Sequence, residues 1–96
     1  MSYHAVIRVP GRAWDPGRGT REQDAWDAHA RFMDALVADG FVVLGGPLGA
    51  GDHRFLLVCD AAGPDAVRAR LAADPWSDHL LEVASVEPWA IWLDGR

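Results

Sequence analysis

An α+β fold of order β-α-β-β-α-β, with one four-stranded antiparallel sheet and two helices on one of its faces, is predicted by three observations. A stretch of period two opens the chain at Tyr3. A stripe of apolar residues at helical spacing follows, from Trp26 to Val37. Three further apolar runs, bounded by Gly and Pro, then carry a second short helical segment between the last two.

Each element has a local cause. From Tyr3 to Val9 the residues alternate, with Tyr3, Ala5, Ile7 and Val9 on one face and His4, Val6 and Arg8 on the other. Pro10-Gly11 ends this strand. Residues 10–21 are rich in Gly, Pro and Arg and form a loop that is long for so small a domain. Trp14 within it needs a surface to pack on, so a folded flap is expected and not a free linker. Thr20 or Asp24 offers an N-cap for the first helix, and Gly40 suits the left-handed position that ends it.

Phe41 to Leu44 reads as the second strand, breaking at a Gly45-Gly46-Pro47 corner where the backbone can come close to its neighbour. Leu48 to Asp52 reads as a hairpin turn and Arg54 to Cys59 as the third strand, whose continuous apolar run implies that both of its faces are covered. With Pro64 near its start, the second helix is expected over Asp65 to Ala73, stopped by Asp74-Pro75. Trp76 to His79 is a turn. Leu80 to Leu93 is extended and interrupted at Pro88, which implies an edge strand, a bulge or two short strands. This order is the split β-α-β of the ferredoxin-like fold. The sheet face turned away from the helices carries too many apolar residues to stay wet, so a homodimer joined through the sheet faces, a dimeric α+β barrel, is expected.

Composition narrows the function classes. The 96 residues suit one domain spanning 1–96. A net charge of -5, with nine basic residues that are all Arg and nowhere clustered, argues against a nucleic-acid surface. The absence of Lys suggests a GC-rich bacterial coding sequence. Cys59, alone in the run FLLVC, excludes an internal disulfide framework and reads as a buried, inert thiol. No apolar run approaches the roughly 18 residues of a membrane span and no leader pattern opens the chain, so a cytoplasmic protein with no membrane partner is expected. His4, His29, His53 and His79 have no HxH or HxxxH spacing, and no nucleotide, flavin or haem motif is visible. Neither a metal nor a cofactor is therefore expected.

The residue that stands out is His29, placed within the apolar stripe of the first helix. An ionisable ring turned toward a core needs a partner. The plain reading is a hydrogen-bonded core histidine, with Asp74 a turn-capping residue before Pro75 and the Gly-Gly-Pro run a bulge.

The helix with His29, the FVVLGGPL run, the Asp74-Pro75-Trp76 turn and Val86-Glu87-Pro88-Trp89, in that order and spacing, resemble the YCII-related (YciI-like) family. The resemblance covers nearly the whole chain apart from the 10–21 loop, which is longer than the family's usual first connection. It implies a small dimeric α+β-barrel protein whose site pairs His29 with Asp74. The family is related in fold to muconolactone isomerase-like proteins and includes a dehydrochlorinase of chlorinated hydroxyhydroquinones. Its usual DPF turn is DPW here, a larger ring that would narrow or reshape a pocket.

If the helix packing brings Asp74 to His29, the carboxylate would orient the imidazole as a general base or acid. The expected substrate is a cyclic or enolisable oxygenated small molecule, and isomerisation or elimination needs no cofactor. The Gly46 amide, beside Pro47, could stabilise an oxyanion, while Trp26 and Trp76 could wall a flat ligand. Arg8 could bind a substrate carboxylate or pair with an acidic side chain of the chain itself. The alternative is a non-catalytic, ligand-binding or regulatory barrel.

Overall fold

The computed structural model describes residues 1–51 and 54–96, so Asp52 of the expected hairpin turn and His53 lie outside the described residues. Six elements build the fold: strand β1 (Tyr3–Pro10), helix α1 (Trp26–Ala38), strands β2 (Val42–Pro47) and β3 (Phe55–Asp60), helix α2 (Pro64–Leu71) and strand β4 (Leu81–Pro88). The sheet order is β2-β3-β1-β4, every neighbouring pair antiparallel. Because β3 returns between β2 and β1, α1 must cross the sheet to reach β2. In the same way α2 carries the chain back to place β4 on the free side of β1. This is the ferredoxin-like arrangement.

The alternation in β1 decides which face meets the helices. His4, Val6 and Arg8 are buried, whereas Tyr3, Ala5, Ile7 and Val9 are only half-buried. Val6 joins Leu36 of α1, Leu57 and Cys59 of β3, and Val67 and Leu71 of α2 in the main core. A second apolar cluster, built on Trp76, Leu80 and Leu81, gathers Trp14, Trp26 and Phe55. Val58, which points the other way from Leu57 and Cys59, is also buried, so both faces of β3 are covered as its unbroken apolar run implies. The residues after Pro88 leave the sheet and turn back over that second face, where Trp89, Ile91 and Leu93 share a shallow cavity with Val43, Leu44 and Val58. The last strand thus ends at Pro88 and not at Leu93. It is an edge strand, and its register against β1 shifts between Ile7 and Arg8. Proline lacks the donor to continue the ladder.

Three other boundaries differ from expectation. The Gly45-Gly46-Pro47 segment is not a corner but the second half of β2, paired with Leu57, Leu56 and Phe55. The strand's irregularity comes earlier, between Val42 and Leu44. A Cβ on Gly45 would stand 2.7 Å from Cδ2 of Leu57, so a side chain there would have to push the end of Leu57 aside. Helix α2 begins at Pro64 and ends at Leu71, with Asp74 held in the following turn by its N–H to the Leu71 carbonyl at 3.0 Å. Neither Thr20 nor Asp24 caps α1. Thr20–Glu22 forms a separate 3-10 turn, in which Glu22 accepts from the Gly19 N–H at 2.9 Å. Helix α1 then starts after Ala25, which sits in the left-handed region at φ 59°. A non-glycine residue there costs about 1–2 kcal/mol, and its effect is to reset the chain direction so that Trp26 and His29 face the sheet.

Candidate active site

His29 lies one turn into α1 and is buried. Its Nδ1 is 2.8 and 2.9 Å from the two carboxylate oxygens of Asp74, 45 residues away in the chain. The turn after α2 brings them together. Asp74 Oδ1 also accepts the Trp76 backbone N–H at 2.9 Å, the ordinary turn bond of an aspartate two residues before a donor. The turn therefore aims the carboxylate, and it places the Trp76 ring parallel to the imidazole, with centroids 4.0 Å and planes 5° apart. Trp76 Nε1 donates to the Asp24 carbonyl at 2.6 Å, tying the turn back to the residues that open α1.

The third member of the cluster is Arg8, whose Nη2 donates to Asp74 Oδ2 at 2.8 Å. Both side chains are almost fully excluded from solvent. Burial by itself would raise the Asp74 pKa. The bonds from His29, the Trp76 N–H and Arg8, together with the Arg8 charge, outweigh it and hold the carboxyl below the usual carboxylate range. The group is thus an ionised acceptor shared between a guanidinium and an imidazole. With Nδ1 engaged by Asp74, Nε2 of His29 has no hydrogen-bond partner among the described residues, and the ring lines a cavity of about 350 Å³.

That cavity runs between α1 and the β2–β3 side of the sheet. Arg8, Trp26, His29, Gly46, Pro47 and Trp76, six of the seven residues singled out from the sequence, line it. Asp74, the seventh, is not on the wall but behind it, at the back of His29 and Arg8. Gly46 contributes backbone, and its own Cβ position opens on free space. Gly45, paired with Leu57, lines the same cavity with bare backbone.

Sequence reasoning missed Thr20, Arg21, Met33 and Phe55 as lining residues. The signal for the first two was indirect: a Trp in the 10–21 loop that needed a surface. Trp14 packs edge-on to Trp76, centroids 5.9 Å apart, and against Phe55 at 6.0 Å. The loop is pinned as well by Gly11 and Ala13 N–H bonds to the Leu80 and His79 carbonyls, each 2.9 Å. Gln23, which three residues after Thr20 fits only the weak form of a capping box, is buried and instead fastens the loop's far end through Nε2 to the Asp15 and Arg18 carbonyls at 2.8 and 3.0 Å. Among the described residues no group of three or more His, Cys, Asp and Glu could hold a metal ion, and no helix is long and apolar enough to cross a membrane.

No protein-family model and no curated protein matches the chain. Among solved structures, the fold resembles that of 5-chloro-2-hydroxyhydroquinone dehydrochlorinase (TftG) from Burkholderia phenoliruptrix AC1100, in complex with 2,5-dihydroxybenzoquinone. The two are 25% identical, with a TM-score of 0.59, over 96% of this chain and 95% of the other. That likeness supports a small-molecule enzyme.

Proposed function

We propose that this chain is a YCII-related enzyme that moves a proton on a flat, oxygenated ring, isomerising it or eliminating a leaving group from it. The observation that carries the reading is the position of His29, between an ionised Asp74 on one side and an aromatic-walled cavity on the other. Held by Asp74 in the tautomer with its proton on Nδ1, the ring presents Nε2 as a base. A proton taken by Nε2 from a substrate C–H or O–H leaves its electron pair in the ring system. In an isomerisation the same proton returns at another carbon. In an elimination the pair forms the new double bond while the leaving group departs with its own pair. Asp74 stabilises the imidazolium formed between the two steps. Likeness to a dehydrochlorinase whose structure holds a dihydroxybenzoquinone supports a substrate of this class.

The reading includes a homodimer through the sheet faces, supported by the exposed Leu44, Trp92 and Leu93 beside the half-covered second face. The test is turnover of hydroxylated and halogenated quinols and of lactones by wild type and by His29→Ala. Product formation that His29→Ala abolishes, with the fold retained by circular dichroism, supports the reading. Full activity in His29→Ala overturns it. Saturable binding with the ligand unchanged after long incubation puts a binding or regulatory barrel in its place.

A further inference from the structure

We propose that the ligand of the His29 cavity is an anion, and that Thr20 and Arg21, carried there by the first loop, hold its charged oxygen. The proposal rests on the reading of this cavity as the substrate site. The first support is charge. Arg8, Arg21 and His29 line the cavity, and no Asp or Glu does so among the described residues, although the chain holds 14 acidic residues and a net charge of -5. Arg8 is balanced by Asp74 from behind, whereas Arg21 makes no ion pair among the described residues. The mouth of the cavity is therefore a local positive site in an acidic protein, which draws anions toward it.

The second support is a pair of unmade hydrogen bonds. Thr20 Oγ1 and Arg8 Nε are both buried without a partner, and both residues line the same cavity. Burying a donor without an acceptor costs free energy, and such groups call for an explanation. Neither atom opens on the cavity directly, but a small side-chain rotation would bring either to a ligand oxygen there, and an anionic oxygen would supply what it lacks most strongly. The third support is the rigidity of the loop. The Gln23 bonds and the Trp14 packing fix the backbone on both sides of Thr20, so the segment that carries Thr20 and Arg21 is in place before a ligand arrives. A volume of about 350 Å³ between Trp26, Trp76 and Phe55 suits one six-membered ring with its substituents. The ligand class is thus a single flat ring bearing a carboxylate, phenolate or enolate.

The test is a titration of tryptophan fluorescence with 2,5-dihydroxybenzoate and with its uncharged amide, 2,5-dihydroxybenzamide. The wild-type chain is expected to bind the acid about fivefold or more tightly than the amide. Arg21→Gln removes that preference. Thr20→Val weakens the acid by a similar factor without lowering the melting temperature, since a valine leaves no hydroxyl to satisfy, and Thr20→Ser restores binding. Equal binding of acid and amide by wild type, with both lost in Trp26→Ala, overturns the anion proposal and leaves the cavity as a ligand site. A Thr20→Val chain that melts earlier yet binds the acid unchanged makes Thr20 structural and overturns its role. No response to either probe in wild type overturns the proposal together with the reading on which it rests.

Discussion

Arg8 and Asp74, 66 residues apart in the chain, form an ion pair at 2.8 Å whose side chains are 3% and 0% exposed. One lies in the middle of the central strand and the other in the turn after the second helix. A guanidinium on the core side of a strand is costly unless it is matched, and the carboxylate that matches it is the one that orients His29. The device that stabilises the turn and the device proposed to prepare the base are therefore the same side chain.

That sharing has a measurable cost. Asp74→Asn removes the charge while keeping the shape, and it leaves Arg8 as an uncompensated buried cation. The expected loss is about 3–5 kcal/mol of unfolding free energy, read from the midpoint of urea denaturation at pH 7. Adding Arg8→Met to Asp74→Asn removes the stranded charge, so the double variant should be more stable than Asp74→Asn alone. A double variant that loses the sum of the two single effects would mean that the pair is not coupled.

The same carboxyl sets the acid limit of stability. Its folded pKa lies below the ordinary value, so the unfolded chain takes up the proton first as pH falls. Asp74 therefore contributes fully above about pH 4, the unfolded carboxylate value, and its contribution disappears as pH drops through the lower folded value. Unfolding free energy measured against pH should fall steeply below about pH 4 in the wild-type chain. In Asp74→Asn the same curve should be flatter, since the group that titrates there is gone.

The basic side has a counterpart in Cys59. Burial pushes this thiol up to about 11, against the opposing pull of the Arg8 charge. The unfolded thiol ionises near pH 8.5, so between there and about 11 the unfolded state holds fewer protons than the folded one, and stability declines as pH rises. Cys59 should also resist a disulfide reagent at pH 8 in the folded chain and react at the rate of unfolding in denaturant. Cys59→Ser should reduce the loss of stability between pH 8.5 and 10.5, a window set by the same unfolded value. A thiol modified within seconds under native conditions would contradict this placement.

How much of this was legible beforehand follows from the kind of signal each part carries. The ferredoxin-like order was readable because strand alternation at Tyr3–Val9, the Trp26–Val37 stripe and the Gly and Pro stops are local patterns with fixed periods. Six of the seven candidate residues line one cavity, among them Arg8, Trp26 and His29, which sit on the core-facing side of β1 and α1. The partner of Arg8 was not readable, because it depends on how the turn after α2 docks against β1. The loop's contribution was hidden by its irregularity. No periodicity shows that Gln23 fastens Asp15 and Arg18, or that Thr20 ends on the wall of the cavity that His29 lines. The Gly45-Gly46-Pro47 run misled, since two glycines before a proline look like a chain reversal. Here they are strand residues, and the end of the Leu57 side chain packs close against the first of them.

Those two glycines separate packing from backbone freedom in one experiment. Gly45→Ala places a methyl group 2.7 Å from Cδ2 of Leu57, the free end of a side chain that borders the cavity. Leu57 must shift toward the cavity, so the cost falls at the low end of the about 1–3 kcal/mol of overpacking. The shift also narrows the cavity that Leu57 lines, so binding of an aromatic ligand should weaken alongside stability. Gly46→Ala meets nothing within 4 Å, and the residue has no positive φ. It should leave stability unchanged or raise it by about 0.4–1 kcal/mol, through the smaller entropy of the unfolded chain. Thermal melts of the two variants side by side check the contrast. A larger loss at Gly46 than at Gly45 would mean that the pleat of β2 is set the other way round, with Gly46 facing the core.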